Sequence, residues 1–158
     1  MTSKHFDSSY GKPLYREVDR WSISVWFLVL LLDLSIVFAI WAALDLKAVF
    51  LATALVSSFS IWAFQKSSLR ITVTQGWLLV GPAVIERAFI HGYQLLNKDQ
   101  LRLESGSGAN PLNYLQLRFW VKTGMKIAIR DPRDKTPAWI FSTKNGEKLK
   151  AVLDKVAH

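Results

Sequence analysis

The side chains that could do chemistry fall into three groups. Arg118, Trp120, Lys122, Lys126 and Arg130 alternate with apolar residues, so a strand hairpin would gather four cations around an indole. Such a face holds lipid phosphates or an acidic partner segment through ion pairs and stacking; its plainer reading is a solvated strand face. Asp33 stands alone in an apolar run, where a charge costs at least about 2.5 kcal/mol on membrane-insertion scales. Thr53, Ser57 and Ser60 recur at i, i+4 and i+7 on the following run and offer hydroxyls to that carboxyl. The pairing reads as glue for the hairpin or for a homo-oligomer, since one carboxylate on two helices offers no proton relay. Asp131 and Asp134 have the spacing of some acid–base or Mg²⁺ sites, but the intervening prolines and cations make a charge-balanced turn of them.

The remaining chemistry is excluded by residue type. The chain has no cysteine, which removes disulfides, thiolate metal sites and thiol catalysis and suits a reducing cytoplasm. His5, His91 and His158 are scattered and define no metal site. The Ser105–Pro111 loop is rich in glycine, yet no Lys-Ser/Thr follows and it leads into a strand, so it is a connector and not a phosphate loop. No catalytic residue and no cofactor is expected.

The elements that position these groups divide the chain. Residues 1–20 read as a flexible tail that becomes ordered near Tyr15. Residues 21–64 carry only Asp33, Asp45 and Lys47 as charges and read as two apolar helices, 21–44 and 48–64, joined by the turn Asp45-Leu46-Lys47. At 1.5 Å per residue the first exceeds the roughly 30 Å hydrocarbon core, and the second is at the short limit unless Lys47 and Lys66 snorkel. Trp21, Trp41 and Trp62 suit the interfaces. Lys12, Arg16, Arg20, Lys66 and Arg70 flank the hairpin ends while Lys47 alone lies in the turn, so both termini should be cytoplasmic and the membrane the inner (plasma) one.

From Leu69 the apolar period changes to two. Leu69–Thr74, Trp77–Val80, Ala83–Ile90 and Tyr93–Leu96 read as short strands. Residues 97–104 read as a helical turn and Asn113–Arg130 as a long hairpin pairing Val121 with Ile127 and Phe119 with Ile129 about a Thr123-Gly124 turn. A last strand, Ala138–Ser142, precedes a helix over 146–157, N-capped by Asn145, whose Leu149, Val152, Leu153 and Val156 share one face. The expected fold class is an α+β membrane protein: a transmembrane hairpin, then a small antiparallel β-sandwich or open barrel over 66–158, similar in topology to pleckstrin-homology folds and closed by the C-terminal helix.

The block from Asn110 to Leu149 carries a more specific likeness. Asn110-Pro111, Leu117-Arg118-Phe119-Trp120-Val121-Lys122-Thr123, Asp131-Pro132, Thr136-Pro137-Ala138-Trp139 and Ser142-Thr143 resemble the core of the actinobacterial membrane family catalogued as domain of unknown function 3093. The chain departs from that pattern at Phe119, where proline is expected in Arg-Pro-Trp-Val, and at Gly146. The resemblance implies an actinobacterial inner-membrane protein with a cytoplasmic pleckstrin-like domain. Residues 65–158 hold 15 Lys and Arg against 7 Asp and Glu, and such charge beside a bilayer is drawn to anionic lipid; nucleic acid is not expected, because the anchor already fixes where the domain lives. The expected function is therefore a membrane-anchored, non-enzymatic module that binds a protein partner or anionic lipid. The alternative is an accessory subunit of a larger membrane complex, packing through its hairpin.

Overall fold

The computed structural model describes residues 10–106 and 108–156, the last of these by its backbone alone. The chain forms two compact units: residues up to Asp19 together with those from Leu69 onward make one, and Arg20–Ser68 make the other.

The second unit is a helical hairpin of α1 (Ile23–Ala43) and α2 (Leu46–Ser67). Ser22 caps α1 by accepting from the Val25 N–H, and Asp45 caps α2 by accepting from the Ala48 N–H at 3.0 Å. Because Asp45 starts a helix, Leu46 and Lys47 belong to α2, and the expected three-residue turn shrinks to Leu44-Asp45. Helix α2 is accordingly 22 residues long, with Lys47 and Lys66 near its two ends, where their side chains can still snorkel. Both helices are long and apolar enough to cross a membrane. Among the described residues only Val25 of α1 and Ser60 of α2 are buried.

The first unit is built on two four-stranded sheets. One has the order β1 (Tyr15–Asp19), β2 (Leu69–Val73), β3 (Trp77–Val80) and β4 (Ala83–Glu86), all antiparallel. Gly81, at φ +60°, begins the β3–β4 turn in a conformation that glycine adopts without penalty. The tail expected at 1–20 thus ends in a strand. Its partner is the strand that follows the hairpin, with Asp19 opposite Leu69 and Tyr15 opposite Val73, so the whole of residues 20–68 is inserted between two hydrogen-bonded neighbours.

A 3₁₀ turn (Arg87–Phe89) leads to the second sheet, ordered β5 (Ile90–Leu96), β7 (Gly124–Ile129), β8 (Ala138–Ser142), β6 (Tyr114–Gln116). Here the expected 113–130 hairpin is overturned. Strand β6 has three residues and pairs in parallel with β8, while β7 is flanked by β5 and β8, Ile127 lying opposite Tyr93 and Trp139. After Gln116 the chain leaves the sheet: the Arg118 N–H goes to Ser142 Oγ, and Val121 N–H closes a turn on Arg118 O. Gly124 is no turn residue; a Cβ there would stand 2.7 Å from Phe141 O and 2.8 Å from Leu101 Cδ1, so β7, β8 and α3 (Lys98–Ser105) close up only on glycine.

The inward faces share one core, with Leu69, Ile71 and Val73 of β2, Leu78 and Val80 of β3, Met125, Ile127 and Ile129 of β7, and Trp139 and Phe141 of β8. Helix α4 (Gly146–Val156) adds Leu149 and Leu153 to it, as its spacing requires; Val156's side chain, Ala157 and His158 lie outside the described residues. On the outer face of the second sheet α3 packs Leu101 against Leu96 and Ile140.

Candidate interaction sites

In the hairpin the seam repeats every fourth residue. Val25, Val29, Asp33 and Val37 of α1 are its less exposed positions, matched by Ala52, Val56 and Ser60 of α2. The Ser60 hydroxyl donates to the Asp33 carboxyl, with oxygens at 3.0 and 3.1 Å, and so brings together two of the four polar residues read from the spacing. Thr53 and Ser57 are exposed, one position (about 100°) round the helix from the seam, and Thr53 bonds Val49 O in its own helix. Beside the pair lies a groove of about 390 Å³ lined by Trp21, Leu32, Ile36, Leu55 and Phe59 among others. At the open end of the hairpin Trp21 Nε1 donates to Ser67 Oγ at 2.6 Å, and Trp21, Trp26 and Phe64 form an aromatic cluster with centroids 5.0–5.6 Å apart. Ser60→Ala should cost the hairpin about 1 kcal/mol, read as earlier melting of the hairpin tryptophan signal in micelles, and Ser57→Ala should cost nothing measurable.

The basic face does not form as expected, because its five residues are not on one strand pair. Lys126 points to the α3 side of β7 and its ammonium meets Glu104 at 2.7 Å. Arg118 is half-buried, its Nη1 donating to Leu117 O, and burial lowers its pKa while Asp19 pulls the other way. Trp120 is half-buried against Phe119. Lys122 and Arg130 are exposed. In the 131–136 loop each carboxylate is used locally: Asp131 accepts from the Arg133 backbone and guanidinium, which hold it below the usual carboxylate range, and Asp134 accepts from Thr136.

The sequence reading missed an acidic strand. Strand β1 turns Glu17 and Asp19 inward, and both are buried. Glu17 Oε2 accepts from the Tyr15 and Thr143 hydroxyls, each at 2.7 Å, and Oε1 from the N–H groups of Lys144 (2.9 Å) and Asn145 (3.2 Å) and from Asn145 Nδ2 (3.3 Å). This carboxylate takes up the donors just ahead of α4, so the chain itself occupies that helix end, and Asn145's side chain turns to Glu17. Asp19 is different: among the described residues neither oxygen accepts a hydrogen bond, and the Lys144 ammonium stands 3.6 Å from Oδ1. Burial, then the neighbouring Glu17, push its pKa up to about 6 against the pull of Lys144 and Arg118. The two acids border a cleft of about 330 Å³ with Arg16 and Lys148. Their signal was the period-two run from Tyr15 to Asp19, which is legible only to a search for polar faces turned inward.

Together these features define an α+β protein in which an apolar helical hairpin interrupts, in sequence, a two-sheet domain closed by a C-terminal helix. Over residues 14–153 the chain matches the family model described as protein of unknown function (DUF3093), and it belongs to that family. No curated protein and no solved structure matches it.

Proposed function

We propose that the protein is a membrane-anchored, non-enzymatic interaction module. The hairpin spans the inner membrane with both termini cytoplasmic, and the domain, which we read as pleckstrin-homology-like with a parallel β6–β8 departure, presents its basic surface to an acidic partner or anionic lipid. One observation carries the reading: Phe27, Leu28, Phe38, Trp41, Phe50, Leu55, Phe59 and Trp62 are each more than half exposed around the hairpin. Apolar surface of that extent is stable when lipid covers it. The insertion between β1 and β2 supports it further, since the chain must enter and leave the hairpin on the same side for that ladder to form.

The absence of cysteine gives a direct test. In intact cells a membrane-impermeant maleimide should label Lys47→Cys, beside the hairpin tip, and should label Lys135→Cys in the domain only after permeabilisation. The reverse pattern overturns the orientation, and loss of the protein from membranes washed with alkaline carbonate overturns the anchor. The groove beside Asp33 and Ser60 favours a second reading, an accessory subunit whose hairpin packs on other helices; a stoichiometric membrane partner copurifying in mild detergent would select it.

A further inference from the structure

Among the described residues of the β domain, five large apolar side chains are exposed: Leu14, Leu103, Leu112, Leu115 and Phe119. Three of them fall within residues 112–119, and Phe119, at 79%, is the most exposed. A single exposed apolar side chain would mean little. Phe119, however, sits at the tip of a turn, where Gly, Pro, Asn and Asp are the ordinary residues. The turn is closed by Val121 N–H to Arg118 O at 2.9 Å. It is also held at both ends: Arg118 N–H bonds Ser142 Oγ, Val121 is buried, and Thr123 Oγ1 donates to Thr143 O at 2.7 Å. The Phe119 ring stands edge-on to Trp120, centroids 4.8 Å apart, and Lys122, three residues further on, is exposed.

A firmly held aromatic tip with a free-standing cation beside it matches the boundary of an anionic bilayer. The ring is taken up among the acyl chains, and the ammonium meets headgroup phosphates. An acidic protein groove would match the lysine alone. We propose that the 117–123 turn is a second membrane contact, in which Phe119 inserts at the interface of an anionic leaflet while Lys122 pairs with its phosphates. The proposal rests on the anchored reading above, because the hairpin is what keeps the domain within reach of a bilayer.

The test uses the full chain reconstituted in vesicles, with the photoreactive benzoylphenylalanine placed by codon suppression at position 119, at Phe38 in the hairpin, or at Lys135 on the domain. Lipid adducts are read by mass. Adducts are expected at 119 and 38 and not at 135. Those at 119 should fall several-fold when phosphatidylglycerol is omitted from phosphatidylcholine vesicles, and again with Lys122→Glu, while those at 38 stay unchanged. Adducts at 38 without any at 119, or with only protein crosslinks at 119, overturn the membrane-contact proposal and leave the anchor standing. Absence of adducts at 38 as well overturns the anchored reading.

Discussion

Glu17→Ala is expected to destabilise the β domain by about 3 to 5 kcal/mol, because several donors, each costing about 1 to 3 kcal/mol when left unsatisfied, lose their acceptor at once. Five donors from Tyr15, Thr143, Lys144 and Asn145 converge on that one carboxylate, and an alanine leaves them facing a void with little access to water. Edge strand β1 and the start of α4 lose their common tie. For a domain of this size the melting temperature should fall by roughly 12 °C or more, as read by the tryptophan fluorescence of the detergent-solubilised chain. Glu17→Gln separates the causes. Its carbonyl oxygen can still accept from the Lys144 and Asn145 N–H groups, and its amide can donate to the two hydroxyls, so it should keep most of the stability. Equal losses from both substitutions, or a shift within about 2 °C for alanine, would rule out the capping role assigned to this carboxylate.

Asp19 should make the domain more stable in mild acid than at neutral pH. Its folded pKa of about 6 lies above the roughly 3.9 of an unfolded aspartate, so the folded state binds the proton more tightly. That contribution is fully present below about pH 4 and is lost as pH rises through 6, a difference on the order of 3 kcal/mol. Asp19→Asn should therefore match the native chain near pH 4 and exceed it at pH 7, the pull of Lys144 and Arg118 being already contained in the folded pKa. The measurement is the difference between the two melting temperatures across that window. Parallel profiles, with no change in their separation, would refute the assignment. The groups facing Asp19 are Glu17 from its own strand, Lys144 from the β8–α4 connection and Arg118 from the turn after β6, so Lys144→Met should enlarge the difference and raise the pH at which it levels off, while its onset near pH 4, set by the unfolded chain, stays where it is.

The long elements were legible because their apolar pattern is set by local burial. Thus α1, α2, β2, β3, β8 and α4 emerged from apolar runs and their period, and α3 as a helical turn over 97–104. The failures came where a residue answers to a distant partner. Leu115, Leu117, Phe119 and Val121 alternate as a strand would, yet Ser142 takes the Arg118 amide and β5 takes the edge of β7 that the hairpin required. In β1 the buried face is acidic, which no apolar-periodicity rule detects, and its partner lies beyond the hairpin. The hairpin stripe failed by a single residue: Ser60 lies in the seam, while Thr53 and Ser57 are rotated out of it, because three serine and threonine positions alone do not reveal which side of a helix meets its neighbour.

The place of the hairpin between β1 and β2 also orders the birth of the molecule. The ribosome delivers β1 first, then both apolar helices, and only then the strand that β1 must pair with. The Tyr15–Val73 ladder cannot close before some fifty residues of intervening chain have been made, and while they wait Glu17 and Asp19 have no Thr143, Lys144 or Asn145 to meet. The domain is therefore completed only after the hairpin that precedes its second strand has been made, and β1 is among the last of its early elements to find a partner.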